Sequence, residues 1–149
     1  MIFFTRDLYE GIQPQSGWER RALREWKRRS RLYSRYVPVI VPLLPRAVAR
    51  LCRIGLHDAL VHAAKSTSDS FNVTLDARDA LSEFRGDMVT LAFTGVRGRV
   101  PTRRLLGDTW LYEEAHLAAG GFTLHVLFEH TDLEVRATGL SILRERSNR

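Results

Sequence analysis

Cysteine is nearly absent from this sequence, since Cys52 is the single cysteine among 149 residues. A lone cysteine forms no disulfide within the chain, so nothing indicates an oxidising compartment, and zinc ribbons and zinc fingers are excluded. We therefore expect a cytoplasmic protein. The sequence also lacks a glycine-rich phosphate loop, a dinucleotide fingerprint and a Gly-x-Ser-x-Gly nucleophile motif. It thus gives no sign of the enzyme classes that depend on those motifs.

Long apolar segments are missing as well. The longest run, residues 37–44, has eight residues and contains two prolines, whereas a membrane-spanning helix needs about 20 apolar residues. Residues 1–7 lack the basic start and the long apolar stretch of a secretion signal. The sequence therefore predicts neither a membrane span nor an export signal.

Positive charge is concentrated in the first third of the chain and comes almost wholly from arginine, with 21 arginines and 2 lysines. Residues 1–53 hold 12 basic and 4 acidic residues, a net charge of +8, whereas residues 54–149 hold 11 and 13, a net charge of −2. Such an asymmetry is typical of a segment that binds nucleic acid, an acidic protein or a membrane surface. The alternative is a solvated helix face that docks on the acidic part of the chain.

Three helices are predicted in this basic segment. A short helix begins at Arg6 with Thr5 as its cap. A long, two-faced helix covers residues 18–37, and a third covers residues 46–54 between Pro45 and Gly55. The side chains expected to pack on a sheet are Trp18, Leu23, Trp26 and Tyr33. The basic stripe on the opposite side, a candidate anion-binding surface, comprises Arg20, Arg24, Arg28, Arg31 and Arg35.

After residue 55 the hydrophobic period changes from that of a helix to that of a strand. Strands are predicted at residues 56–64, 71–75, 89–93, 110–117, 122–128 and 133–137, with a helical turn at 79–84 and a charged tail at 144–149. Helices followed by strands indicate an α+β fold, in which the N-terminal helices cover the apolar face of a mostly antiparallel sheet of five or six strands. We expect a single domain over residues 1–149, helical and basic in 1–54 and β-rich in 55–143.

The hairpin around residues 118–121 sets a register between its two strands. In this register Glu114 lies opposite His125, and His116 lies opposite Thr123. The residues predicted to share one polar face are Trp110, Tyr112, Glu114, His116, His125 and Glu129. The residues predicted to face the core are Phe122, Leu124, Val126 and Phe128.

Glu114, His116 and His125 are the candidate metal ligands or acid–base residues. Two imidazoles and a carboxylate suit zinc or iron, and a carboxylate beside an imidazole also suits proton transfer. The alternative is a solvated sheet face with an ordinary ion pair. Imidazoles more than about 7 Å apart would favour that alternative.

The pair His57-Asp58 and the single cysteine, Cys52, are not predicted to form functional sites. His57 and Asp58 are adjacent on a predicted strand, so their side chains should face opposite ways, and we expect them to satisfy backbone groups. Cys52 lies in an apolar helical stretch, where a buried and unreactive thiol is expected.

Several short motifs carry a family resemblance. They are Phe4-Thr5-Arg6-Asp7-Leu8-Tyr9, Leu56-His57-Asp58, Trp110-Leu111-Tyr112-Glu113-Glu114, Gly121-Phe122-Thr123-Leu124-His125-Val126-Leu127-Phe128 and Leu133-Glu134-Val135. With them the chain resembles, over its whole length, a family of uncharacterised bacterial proteins known only as a domain of unknown function. This resemblance implies a standalone bacterial protein and brings no activity with it.

Three functions follow from these features. The favoured one is a non-enzymatic protein that binds a protein partner through the polar sheet face or the basic helix, as toxin-neutralising immunity proteins do. The second is a small metal-dependent enzyme that uses Glu114, His116 and His125. The third is a nucleic-acid binder that uses the basic stripe, although the prolines after that helix fit a helix-turn-helix poorly.

Overall fold

Helices occupy the first third of the chain and strands the rest. The structure is a computed structural model that describes residues 1–14, 16–80 and 83–146, except for the side chain of Arg146. The helices are α1 (Arg6–Ile12), α2 (Glu19–Ile40) and α3 (Arg46–Ile54), and a 3-10 turn at Val41–Leu43 follows α2. The strands are β1 (Leu60–Ser66), β2 (Ser70–Asp76), β3 (Asp87–Thr94), β4 (Trp110–Ala118), β5 (Gly121–Phe128), β6 (Asp132–Ala137) and β7 (Gly139–Arg146). The predicted α+β class is confirmed. Among these elements, no helix combines the length and the apolar character needed to cross a membrane.

The strands form two antiparallel sheets, so the expected single sheet of five or six strands is wrong. The large sheet has the order β1-β2-β3-β7, and the small sheet has the order β4-β5-β6. The chain passes from β6 to β7 through Thr138 alone, and β7 pairs with β3 from Gly139 onward. Residues 144–146, predicted as a tail, belong to this last strand, because Leu140 and Ile142 earlier in it pack on the core. Residues 147–149 lie outside the described residues.

The main hydrophobic core lies between the inner faces of the two sheets. The predicted core residues of β5 are confirmed there, since Phe122, Leu124, Val126 and Phe128 are fully buried. The ring of Phe122 lies 6.4 Å from that of Phe93 in the large sheet. Buried side chains of α3, among them Val48 and Leu51, complete the same core.

Helices α1 and α2 cover the outer face of the small sheet. The sequence had predicted that they cover its more apolar face, which instead packs against the large sheet. Leu8 and Trp26 pack with Phe4, Leu111 and Leu127 in a second hydrophobic cluster. Two predicted anchors of α2 are wrong, because Trp18 and Leu23 are 42% and 43% exposed. Ala22, four residues before Trp26, occupies the buried position that Leu23 was expected to take.

The helix ends follow the sequence signals closely. Helix α3 has the predicted bounds, and α1 begins at Arg6 after Thr5, whose side chain forms no capping hydrogen bond. Helix α2 continues through Pro38 to Ile40, three residues beyond the prediction. The helical turn predicted at 79–84 includes residues 81–82, which lie outside the described residues.

Gly121→Ala tests the close pairing of β5 with β6. A Cβ atom at this position would lie 2.2 Å from the carbonyl oxygen of Ala137, which belongs to the backbone of the neighbouring strand. We expect the free energy of unfolding to fall by about 1–3 kcal/mol, measured by urea denaturation. Ala119→Ser, at the exposed tip of the same hairpin, should stay within about 0.5 kcal/mol of the wild type. A Gly121→Ala variant as stable as the wild type would contradict this pairing.

Candidate functional site

The predicted register of the hairpin is confirmed. Strands β4 and β5 pair Glu114 with His125 and His116 with Thr123, and β6 adds Glu134 opposite His125. The three candidate ligands therefore lie together on the outer face of the small sheet. The ring centroids of His116 and His125 are 5.6 Å apart, below the separation that would argue against shared ligation.

Two residues predicted on this face lie elsewhere. Trp110 is fully buried in the main core, where its ring lies 5.4 Å from that of Phe128. A bulge between Trp110 and Tyr112 shifts the register and turns the tryptophan inward. Glu129 follows the last residue of β5, and its side chain is exposed.

The outer face is shielded from solvent around Glu114, because residues 2–4 lie across it and bind this carboxylate. Its Oε2 atom accepts a hydrogen bond from the backbone N–H of Ile2 at 2.8 Å. Its Oε1 atom accepts two more, from the N–H of Phe3 at 2.7 Å and from that of Phe4 at 2.5 Å. The side chain of Glu114 has no solvent exposure. Consecutive backbone N–H groups around a carboxylate form an anion-binding concavity, and here the anion is the protein's own.

The ionisation of Glu114 follows from these contacts. Burial raises the pKa of this carboxyl group, but the hydrogen bonds from His116 and from the backbone of residues 2–4 outweigh burial, so its pKa lies below the ordinary value. A carboxylate that accepts several N–H bonds is held in its charged form. Glu114 is therefore an ionised, buried anchor for the first residues of the chain.

The two histidines complete this arrangement. Both ring nitrogens of His116 have partners, since Nε2 lies 3.1 Å from Oε2 of Glu114 and Nδ1 lies 3.3 Å from the hydroxyl of Tyr36. Nδ1 of His125 lies 3.6 Å from Oε2 of Glu134. Burial lowers the pKa of His125, so this ring favours its neutral form.

The metal hypothesis gains no geometric support from this arrangement. Four hydrogen bonds already occupy the Glu114 carboxylate, and in the described part of the chain no group of three or more His, Cys, Asp or Glu side chains is placed to hold a metal ion. Binding of zinc or iron by Glu114, His116 and His125 stays a prediction. The geometry assigns Glu114 a structural role.

Aromatic side chains pack residues 2–4 against the small sheet and α2. The ring of Phe3 stacks on that of His116 at 6.2 Å, and the ring of Phe4 lies 5.3 Å from Tyr112 and 5.2 Å from Trp26. Sequence reasoning missed this role of residues 2–4. The signal was the apolar run Ile2-Phe3-Phe4 directly before α1, since large apolar side chains beside a helix start usually pack on a neighbouring element.

A half-buried carboxylate, Glu113, points from β4 to the inner side of the small sheet. Its Oε2 atom accepts a hydrogen bond from Nε1 of Trp110 at 2.7 Å. Burial raises the pKa of Glu113 to about 7. The nearby thiol of Cys52 has its pKa raised to about 11, by burial first and then by the charge of Glu113. At neutral pH this thiol stays protonated, as expected for an unreactive cysteine.

The side chains of His57 and Asp58 lie in contact, contrary to the prediction that they face opposite ways. Strand β1 begins at Leu60 and not at residue 56, so the two residues lie in a turn, where Asp58 has a φ of 70°. In this turn Nδ1 of His57 lies 2.9 Å from Oδ1 of Asp58, in a geometry that forms no hydrogen bond. The His57 ring also contacts that of Tyr112, with centroids 5.2 Å apart. The main-chain N–H of Asp58 donates to the carbonyl of Trp110 at 2.8 Å, whereas neither side chain forms the expected hydrogen bond to a backbone group of the described residues.

The basic stripe lies on the solvent side of α2, where all five of its arginines are exposed. Arg28 forms an ion pair with Glu25 at 2.7 Å. Hydrogen bonds from Arg28 and Arg29 lower the pKa of Glu25 to about 2. The other four arginine side chains of the stripe form no ion pair or hydrogen bond with any described residue; they are Arg20, Arg24, Arg31 and Arg35. Helix α2 thus presents uncompensated positive charge.

Glu114→Gln tests the anchor. A neutral amide cannot accept the same four hydrogen bonds, so we expect the free energy of unfolding to fall by about 2–4 kcal/mol at pH 7. The amides of residues 2–4 should lose protection in hydrogen exchange.

Because the pKa of Glu114 is lower in the folded protein, its stabilising contribution is present above the ordinary pKa and is lost as pH falls. Unchanged protection and stability would contradict the anchor, and Glu129→Gln, at an exposed carboxylate, is the control.

Glu113→Gln should raise stability at alkaline pH. The pKa of Glu113 rises from 4.5 to about 7 on folding, so the folded protein binds more protons between these values and stability falls as pH rises through this range. Glutamine still accepts the Trp110 hydrogen bond but carries no charge. We expect a gain of about 3 kcal/mol at pH 8 and almost none at pH 4, from urea denaturation. Glu10→Gln, at an exposed carboxylate, should shift neither value, and a loss of stability at pH 8 would contradict the assigned pKa.

The chain was compared with known families, curated proteins and solved structures. The model of the family described as "Protein of unknown function (DUF4085)" matches residues 8–138. No curated protein and no solved structure matches the chain. The matched range runs from α1 to the end of β6 and includes the buried carboxylate and both histidines of the outer face. The match covers most of the chain and confirms the expectation of an uncharacterised protein family, and the chain therefore belongs to the DUF4085 family of proteins of unknown function.

Proposed function

We infer that this chain is a non-enzymatic interaction module that binds an acidic protein partner through the exposed basic face of α2. The observation that carries the proposal is the set of four arginines there, at positions 20, 24, 31 and 35, that have no partner among the described residues. Charge of one sign that nothing in the fold compensates attracts a complementary surface and speeds association with it.

The side chains that suggested catalysis have structural partners, which supports a non-enzymatic role. Glu114 binds the backbone of residues 2–4, and His116 lies between Glu114 and Tyr36. The Cys52 thiol is protonated at neutral pH because its pKa is about 11. The polar sheet face, the other surface considered for a partner, is covered only in part by α1, α2 and residues 2–4, since a cleft of about 790 Å³ lined by His116 and His125 stays open there.

Apolar side chains among the arginines favour a protein partner. Leu23 and Leu32 on α2 are 43% and 40% exposed, and Val39 and Leu43 near its C-terminal end are 69% and 68% exposed. Protein interfaces combine apolar contact area with arginine, and their hot spots are rich in that residue. A toxin-neutralising immunity protein would be one example of such a module, and a basic α2 implies an acidic surface on the toxin.

Nucleic acid is the second candidate, and the same unpaired arginines favour it because guanidinium groups bind phosphates. Single-stranded nucleic acid is commonly held by aromatic side chains that stack on its bases. On α2 the ring of Trp26 is buried against Phe4, and Tyr33 also faces the sheet. Apart from Trp18 at the N-terminal end of α2, which is 42% exposed, this face offers charge and aliphatic groups, and that composition suits a protein better.

A charge-matched comparison tests the proposal. The variant Arg24→Gln/Arg31→Gln/Arg35→Gln removes three charges from α2, and Arg99→Gln/Arg103→Gln/Arg104→Gln removes three from another surface. We expect a partner captured from native cytosol, then purified and titrated by calorimetry, to bind the α2 variant at least about tenfold more weakly than the wild type. The control variant should bind as the wild type does.

Two outcomes would contradict the acidic-protein proposal. One is equal weakening by both triple variants, which would show attraction to net charge alone. The other is captured material that nuclease treatment removes and whose binding falls steeply with salt, which would assign α2 to nucleic acid.

A further inference from the structure

A cleft of about 990 Å³ lies between the turn that joins β1 to β2 and the segment that leads from β3 to β4. This volume is within the range of sites for small molecules. The polar side chains that line the cleft are hydroxyl groups and guanidinium groups, and they belong to Ser66, Thr67, Ser68, Thr102, Arg99, Arg103 and Arg104. No acidic side chain is among the described residues that line it.

The three guanidinium groups of the cleft lack internal compensation. Arg99, Arg103 and Arg104 are exposed, and their side chains form no ion pair or hydrogen bond with any described residue. Guanidinium groups keep their charge at any physiological pH. The acidic residue of the adjacent turn, Asp69, accepts a hydrogen bond from the hydroxyl of Thr67 at 3.2 Å and does not line the cleft. The cleft therefore concentrates positive charge.

Backbone donors add to these charges. The N–H groups of Gly98, Arg99 and Val100 donate to no described residue, and Gly98 has a φ of 88°. Backbone N–H groups beside a glycine with positive φ commonly form a concavity that binds anions. Val100 is only 5% exposed, so part of this backbone is anchored to the core while its N–H groups donate to none of the residues that the structure describes.

The walls of the cleft are fixed to the sheets. The N–H of Val96 donates to the carbonyl of Asp69 at 2.8 Å, which ties the segment after β3 to the turn between β1 and β2. The hydroxyl of Thr131 donates to the carbonyl of Arg104 at 3.1 Å, and the side chain of Leu105 is fully buried. Donors held in place before binding reduce the entropy lost when a ligand binds.

We propose that this cleft is a binding site for a small phosphate-bearing molecule, a diphosphate or a nucleotide by size and charge. The guanidinium groups of Arg99, Arg103 and Arg104 bind the phosphate oxygens, and the hydroxyl of Ser68 with the N–H groups of residues 98–100 completes the donor set. The site goes beyond the proposed partner surface, since it is concave and shares no residue with α2. Its occupancy is therefore separable from partner binding.

Isothermal titration calorimetry with pyrophosphate as the probe tests this site. We expect saturable binding to a single site with a dissociation constant below about 1 mM, while sulfate at matched ionic strength binds at least about tenfold more weakly. Arg103→Gln/Arg104→Gln should weaken pyrophosphate binding at least about tenfold, because charge-assisted hydrogen bonds to phosphate are lost. The same titration with ATP shows whether the cleft also accepts a nucleotide.

The matched control is Arg20→Gln/Arg24→Gln, which removes the same charge from α2 and should leave the dissociation constant within about twofold. Arg99→Gln is a further cleft variant that should show the same weakening if the double variant folds poorly. Absence of binding up to about 10 mM pyrophosphate would overturn the proposal. Equal weakening by the cleft and α2 variants would overturn it as well, because it would reveal general attraction to a basic protein.

Discussion

The arrangement of the helices depends on one buried charge, the carboxylate of Glu114. An ionised group without solvent exposure costs several kcal/mol unless hydrogen bonds compensate it, and the backbone of residues 2–4 supplies three of those bonds. The segment must therefore stay on the small sheet for the charge to stay satisfied. Phe3 and Phe4 are held there too, and their rings form the surface on which α2 packs through Trp26 and Tyr33. The basic face of α2 is consequently turned toward solvent.

The same residue types could have formed a metal site, and the difference lies in which donors reach the carboxylate. Glutamate between two histidines on a strand face fits zinc as well as it fits an internal anchor. What decides between them is the group that arrives from elsewhere in the chain, here N–H groups more than a hundred residues away in sequence. The register of the hairpin does not show that residues 2–4 bind Glu114. The sequence could therefore place Glu114, His116 and His125 together without revealing their role.

Local signals in the sequence predicted local structure well and long-range assembly poorly. Pro45 and Gly55 set the bounds of α3, and the short hairpin loop set the register of β4 and β5, because both depend on neighbouring residues only. The division into two sheets depends on β3 pairing with β7, some fifty residues away in sequence. The sequence also did not show which face of the small sheet α2 covers, because Leu111 and Leu127 make its outer face apolar as well. A period-2 pattern identifies the more apolar face and cannot show that both are covered.

Uncompensated arginine occurs on two surfaces of different shape, and shape decides what each can bind. On α2 the arginines follow the exposed side of a 22-residue helix with aliphatic side chains between them, and a convex ridge of this kind makes contact only with a surface large enough to lie against it. Around Arg99, Arg103 and Arg104 the charges surround a cleft whose walls also carry hydroxyl groups and free N–H groups. A concave site with several short-range donors can enclose a small anion and replace its hydration. The arginines of α2 therefore form an extended charged ridge, whereas Arg99, Arg103 and Arg104 bring their charge together around one concave site.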